Sequence, residues 1–407
     1  MSLRTFVVTV AGLVVLSAAS SAQIKSVKEM SPAKAHAHNQ PVAKKECERY
    51  AMALEEAVRA RELETCEAAV DWNALYSRST NGVPANDKTR REFREAAEAN
   101  LRGPDGLMGG TIATVAAGGT FRFLRVVETG NGTHALFRLA HADGGVPDYL
   151  AFLVEGDEEG SALATDVDIA GEGGLLSLRL RRYFLALSAG TTRSLEDKVR
   201  GHDKLDVRYA KELEAAQDAF SAGENQKALD RLKLLPEEVK SDRAVVLLRL
   251  DAARAASDEA FLEALGDARR RFPSDTAVER RALDHFLLTN SFANARGTVR
   301  TLNAAVGGDP YLDWLLAGIE ESAGDMAAAR AACRRAIERE ENFEDAWWTL
   351  LSYAIRDQRF AEAATILDRM ESRFDIDWKA LQAASAYQAF FASPEGRQMR
   401  ARHEQRN

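Results

Sequence analysis

"GDMAAARAACRRAI", Gly324 to Ile337, places apolar or small residues at Met326, Ala329, Cys333 and Ala336, with arginines between them. Steps of three and four put these positions on one face of an α-helix. That face is built mainly from Ala, Cys and Ala, each of which buries little area, so bulk does not stabilise it. A face this small lets a second helix come close. The same spacing of apolar positions recurs on either side at a constant interval of about 34 residues. One interval earlier it falls on Phe292, Ala295, Val299 and Leu302, and one interval later on Phe360, Ala363, Leu367 and Met370. Four columns stay apolar across three units, and the Ala329 column is Ala in all three. A fixed period of this length predicts stacked helix–turn–helix units.

Upstream, Gly223, Ala228, Leu232 and Pro236 fit the same template, and Leu262, Ala268 and Pro273 fit it with a one-residue slip. Pro310 is read as closing the third unit. The stretch 207–392, about five units, resembles tetratricopeptide repeats. It departs from their pattern in lacking a Gly early in the first helix and in the weak closing prolines of the last two units. The resemblance implies an all-α solenoid in which Ala295, Ala329 and Ala363 mark the closest approach of paired helices. In the tail "AYQAFFASPEGRQMRARHEQ", Ser393 as N-cap and Pro394 at the first helical position predict a capping helix over 393–407.

Trp314 and Trp348 are separated by that same interval, so they occupy equivalent places on successive first helices. In tetratricopeptide arrays that place faces the concave groove, and Arg280 is its equivalent one unit earlier. One turn along lie Asp284, Gly318 and Ser352, and beyond them Glu321 and Arg356. Aromatic and arginine side chains are favoured binding anchors. Arg280, Asp284, Trp314, Glu321, Trp348, Ser352 and Arg356 are therefore the candidate partner-binding residues. A second reading stays open, in which the indoles seal contacts between units beside Trp347 and Leu350.

The first half of the chain reads differently. "ECERYAMALEEAVRARELETCEAAVDWNALY" is helical, with Tyr50, Leu54 and Val58 on one face, and "ANDKTRREFREAAEANL" is a second helix with Asp87 in the capping position. The period then changes to two. "GTFRFLRVVE" and "THALFRLAHA" flank "TGNG" as a hairpin, and "DYLAFLVE" and "SALATDVDIA" follow around the charged turn "GDEEG". Helices followed by a four-stranded antiparallel meander give an α+β fold with helices on one face of a curved sheet. This order, with "DVDIAGEGGLLSLRLRRYF" after the last strand, resembles the cone-shaped nuclear-transport-factor-2-like, ketosteroid-isomerase-like superfamily over roughly 42–185. We expect this domain at 41–187, a linker at 188–206 and the repeats from 207.

The chemistry-bearing motifs are sparse. Gly171-Glu172-Gly173-Gly174 lies between a strand and a helix, but the third glycine of a dinucleotide loop would fall at Leu176. A flexible strand-to-helix turn accounts for it. The histidines are scattered, and no HExxH, paired CxxC or GxSxG occurs. The cone fold houses acid–base chemistry in related enzymes, and here the candidates are Asp148, Tyr149, Asp166 and Asp168. Strand parity puts Leu163, Val167 and Ile169 on the packed face and both aspartates toward solvent or a partner, which would deny them a raised pKa. Tyr149 stays a pocket-lining candidate. We expect no catalytic residue, no cofactor and no metal.

The chain has 407 residues, 46% hydrophobic and 29% charged, with a net charge of -8, so it can build more than one core and does not suit a phosphate backbone. Nucleic acid is not an expected partner. At the start, Arg4, an apolar run from Phe6 to Leu16, and small residues Ser20 and Ala22 match a secretory signal over 1–22. The run falls short of the roughly 20 apolar residues needed to span a bilayer. Residues 23–40, with Pro32 and the pair His36 and His38, read as a solvated linker. Of the three cysteines, Cys47 and Cys66 would pair only if their helices lie side by side; otherwise they are independent buried thiols. Together these readings predict an exported, periplasmic or secreted, non-catalytic adaptor. Its repeats would hold a protein or peptide partner. The alternative is a small apolar ligand, or acid–base enzyme activity, in the cone-like domain.

Overall fold

The computed structural model describes residues 40–406 apart from 143, 158–160, 173 and 193. The expected signal peptide, the linker up to residue 39 and part of the "GDEEG" turn therefore lie outside the described residues. Two compact units divide the chain, the first reaching Arg271 and the second starting at Phe272.

The first unit opens with β1 (Gln40–Pro41) and five helices: α1 (Lys44–Ala60), α2 (Leu63–Ala68), α3 (Trp72–Thr80), α4 (Asp87–Leu101) and α5 (Leu107–Ala116). The long helical run read from the sequence is thus three helices. It breaks at Arg61, which takes a left-handed conformation (φ 60°) after α1. It turns again at Asp71, whose side chain accepts from the Ala74 N–H at 2.9 Å. The cap of α4 is Asn86, one residue before the expected Asp87, accepting from the Thr89 N–H at 2.8 Å. Helix α5, "LMGGTIATVA", was not expected: its adjacent glycines and β-branched residues speak against a helix on propensity alone.

The antiparallel meander follows as β2 (Thr120–Thr129), β3 (Gly132–Ala140), β4 (Asp148–Gly156) and β5 (Ala162–Ile169), with Gly130 and Asn131 forming the two-residue turn between β2 and β3. Two short strands extend it. β6 (Gly174–Leu175) pairs with β5, and β1 pairs with the end of β4 through Gln40 opposite Gly156. One sheet face packs Ala135, Phe137, Leu139, Leu150, Phe152 and Val154 against helical residues that include Leu54, Val58, Phe93 and Phe184. The interior is filled by aromatic rings, with Phe137 stacked on Phe121 at 4.5 Å and edge-on to Phe152 at 5.4 Å.

Helices α6 (Leu176–Thr191), α7 (Leu195–Lys198), α8 (His202–Ser221), α9 (Asn225–Lys233), α10 (Glu237–Lys240), α11 (Arg243–Ala256) and α12 (Asp258–Arg271) complete this unit. The expected linker at 188–206 thus carries the end of α6, all of α7 and the start of α8. Two arginines of α6 explain why the unit runs on past residue 187. Arg181 makes a two-pronged bond to Asp203 of α8, at 2.9 and 2.7 Å, and Arg182 reaches Asp242 before α11 at 2.6 Å.

The second unit is all-helical: α13 (Thr276–Leu288), α14 (Phe292–Ala305), α15 (Pro310–Ser322), α16 (Met326–Arg339), α17 (Glu344–Arg356), α18 (Phe360–Glu371), α19 (Trp378–Ala383), α20 (Gln388–Ala392) and α21 (Pro394–Arg406). First helices begin at 276, 310 and 344 and second helices at 292, 326 and 360, so both series advance by the same constant step. The turn inside each pair repeats as well. Asn290, Gly324 and Gln358 all take positive φ, at 54°, 82° and 56°. Pro310 begins α15 instead of closing the unit before it, at the first-turn place where a missing N–H costs nothing.

Ala295, Ala329 and Ala363 are fully buried. The approach of the two helices in a pair follows side-chain size. It is closest in α15/α16, where four of the five buried residues of α16 are Ala or Cys (Ala329, Ala332, Cys333 and Ala336, with Ile337), and loosest in α17/α18, where α18 buries Ile366, Leu367 and Met370 beside Ala363. At the tail, Ser393 accepts from the Gly396 N–H at 3.1 Å and caps α21 as read from the sequence. Among the described residues no helix is long and apolar enough to cross a membrane.

Candidate functional site

The candidate residues occupy α13, α15 and α17 of the second unit. In α17 Ala346, Trp347, Leu350, Leu351, Tyr353, Ala354 and Ile355 are buried, and Trp348, Ser352 and Arg356 form a narrow strip that is not. Trp348 is half-buried, and Ser352 and Arg356 are exposed. In α15, Leu312, Leu316 and Ile319 are buried, leaving Trp314 and Glu321 half-buried and Gly318 exposed.

Each indole is held by a specific partner. The Trp314 N–H donates to the Thr349 hydroxyl of α17 at 2.9 Å, and its ring stands edge-on to Tyr311 and Phe343. The Trp348 N–H donates to the Glu344 carboxylate one turn back at 2.9 Å, and its ring meets Tyr387 at 6.4 Å. Burial raises the Tyr387 pKa, against a smaller lowering effect of Ser352. Among the described residues the two indoles make no ring contact with each other.

Glu321 and Arg356 are brought together directly. Glu321 accepts from the Arg356 guanidinium at 2.5 Å and from the Tyr353 hydroxyl at 2.9 Å. Arg356 also lies over the Tyr353 ring, 5.2 Å from its centroid. Burial first, then Glu321, raises the pKa of the Tyr353 phenol, which therefore remains a donor. Arg280 and Asp284 differ from the rest: they lie 3.9 Å apart on α13 with side chains only 17% and 28% exposed. Little of either is open to a partner.

Thr349 and Tyr387 belong to this surface, the buried Tyr353 backs it, and none of the three was read from the sequence. Thr349 is the neighbour of Trp348. Tyr353 falls in a column that is otherwise core, matching Ile319. Tyr387 lies in the 3-10 turn Ser385–Tyr387, beyond the periodic columns, so no spacing pointed to it.

In the first unit one expectation is overturned. Asp166 does not face solvent: it is 1% exposed and accepts from the Val167 and Ser177 N–H groups at 2.9 and 3.1 Å, with the Ser177 hydroxyl also donating to it. Burial raises its carboxyl pKa, against the lowering effect of those bonds and of Arg78. Parity failed because the chain, after pairing beside β5 as β6, turns into α6 and brings Ser177 against the Asp166 carboxylate. Asp148 and Tyr149 are also buried, with Asp148 4.0 Å from His141, and Asp168 is half-buried. Two phenols of the core, Tyr50 and Tyr76, are buried with no hydrogen-bond partner for their hydroxyls among the described residues.

The three cysteines are free and buried. Burial pushes the thiols of Cys47 and Cys333 up to about 12 and that of Cys66 up to about 11, so none is an activated nucleophile. Among the described residues no three His, Cys, Asp or Glu side chains group to hold a metal ion. No protein-family model matches the chain, and no curated protein matches it.

Proposed function

We propose that the protein is an exported, non-catalytic adaptor whose repeats hold a protein or peptide partner through their concave face, on the strip of α15 and α17 that carries Trp314 and Trp348. The helix pairs recurring at a constant step from α13 to α18 support the tetratricopeptide-like reading of 207–392 for that part of it, an architecture that binds through extended surfaces. The observation that carries the proposal is the half-open Trp348 beside exposed Ser352 and Arg356, with Trp314 one repeat away on α15. Rings held by hydrogen bonds at one edge, with part of their surface still open, suit hot-spot anchoring because little ordering entropy remains to be lost. Arg280 and Asp284 drop to a supporting role because their side chains are mostly covered. Export rests on Arg4, the run Phe6–Leu16 and the small residues Ser20 and Ala22.

The test is site-specific photo-crosslinking in the native host. A photoreactive residue at 352 captures the partner, and one at Glu338, exposed on α16, does not. Equal capture from both positions, or none from 352, overturns the assignment. A second reading, a small ligand inside the α+β part, is favoured by the unpartnered Tyr50 and Tyr76 hydroxyls, since buried polar groups without partners are uncommon. The likeness of that part to the cone-shaped superfamily belongs with this second reading.

A further inference from the structure

The end of the chain lies against the candidate surface. First helices start at 276, 310 and 344 and second helices at 292, 326 and 360, and the same step leads on to α19 at 378 and α21 at 394. Residues 378–406 therefore continue the series as a further helix pair, with one difference. α13, α15 and α17 each run 13 residues, whereas α19 stops after 6. It ends where Ala384 turns extended (ψ 127°), and the chain goes on as the 3-10 turn Ser385–Tyr387 and α20. No Gly or Pro forces this break, since "AASAYQA" at 383–389 is rich in good helix formers.

Phe390 and Phe391 are buried just past the break, beside Phe360 and Trp378. Core packing thus accounts for interrupting the helix, but not for where Tyr387 goes. One step back Tyr387 matches Tyr353, and two steps back Ile319, both buried within a helix. Taken out of that place, the Tyr387 ring meets Trp348 at 6.4 Å, with the ring planes at 64°. Ser352 is near enough to act on its phenol. Ser385, Ala386, Gln388 and Ala389 around it are exposed, so the side chain that this turn half-covers is the aromatic one.

We propose that the turn Ser385–Tyr387 is a built-in competitor for the partner surface, in which Tyr387 holds the place that an aromatic side chain of a partner peptide takes over on binding. This rests on reading Trp348 and Ser352 as partner-binding residues, and it names what the partner presents there. A ring tethered by a short segment acts like a free competitor at roughly millimolar concentration, so removing it opens the place to a ring supplied from outside.

The test is fluorescence anisotropy of a labelled synthetic peptide, AASAYQA, titrated with the full chain. Tyr387→Ala binds this peptide at least tenfold more tightly than the native chain does. Tyr387→Phe, which keeps the ring, excludes it as the native chain does. A peptide with Ala in place of Tyr does not bind Tyr387→Ala, and the original peptide does not bind the double variant Tyr387→Ala, Trp348→Ala. Equal binding to the native and Tyr387→Ala chains, no binding to either, or binding of the peptide without the ring overturns the proposal. Should Tyr387→Ala fail to fold, amide hydrogen exchange of residues 384–389 in the native chain decides. It speeds up when the peptide is added in millimolar excess, and unchanged exchange overturns the proposal. Capture from position 352 combined with equal peptide binding sinks the competitor and leaves the partner surface standing. No capture from 352 overturns the partner surface and this proposal with it.

Discussion

Trp314 on α15 donates its indole N–H to the Thr349 hydroxyl on α17, a bond of 2.9 Å between consecutive helical pairs. Trp348 instead spends its N–H on Glu344 of its own helix. The two equivalent tryptophans therefore differ in role. Trp314→Ala removes packing on Tyr311 and Phe343 as well as the bond, and lowers stability by about 2–3 kcal/mol. Trp348→Ala costs about 1 kcal/mol and mainly weakens partner capture. Denaturant melts of both variants check the order, and equal losses would show that both rings are structural.

Ala329→Leu forces three extra carbons into the tightest helix pair of the second unit and lowers stability by about 1–3 kcal/mol. Ala363→Leu, in the looser α17/α18 pair, costs less. Unchanged melting of Ala329→Leu would contradict the close approach that the small residues permit.

Asp166 gives a pH signature. A carboxyl whose folded pKa is raised above its ordinary value near 3.8 stabilises the fold at low pH. That contribution is present below the unfolded pKa and is lost as pH rises through the folded pKa. The stability advantage of the native chain over Asp166→Asn therefore shrinks as pH is raised from acid toward neutral. An advantage that grows with pH would mean the Ser177 and Val167 bonds outweigh burial.

Thiols pushed up to about 11 or 12 carry almost no thiolate at pH 8. A disulfide reagent added to the folded protein at that pH modifies none of Cys47, Cys66 and Cys333, and all three react once it is unfolded. Rapid modification of a single cysteine in the native state would disprove its burial.

Export is checked at the other end of the chain. Mature protein from the native host begins at Gln23 or within a few residues of it, as amino-terminal sequencing would show. Intact Met1 in that material would overturn it.

The repeats were legible because their information is one-dimensional. Once Phe292, Met326 and Phe360 are aligned, helix starts, turns and buried columns follow at fixed distance. The strands were legible for a similar reason, a period of two bounded by Gly130-Asn131 and by charged turns. Three things were hidden. Helix α5 carries Gly109, Gly110 and β-branched residues and forms because the core covers Leu107 and Met108, a tertiary effect that overrides propensity. The burial of Asp166 depends on the chain folding back at Ser177, which strand parity cannot foresee. The extension of the first unit through Arg271 rests on Arg181 and Arg182 meeting acids 22 and 60 residues away. Within the candidate surface, the tryptophans stood out by spacing, whereas Tyr387 comes from outside the periodic stretch.

Asn290, Gly324 and Gln358 return the backbone to the same left-handed state once in each of the pairs α13/α14, α15/α16 and α17/α18, although only one of them is glycine. At such positions an ordinary side chain carries a conformational cost that glycine avoids. The chain thus behaves as a set of interchangeable cassettes with an uneven hinge cost. Duplicating or excising one whole helix-pair cassette keeps every remaining turn in phase, so the length of this unit is open to evolutionary or engineered change. A single-residue insertion inside α16 would rotate its small face by about 100° and destroy the pairing at once.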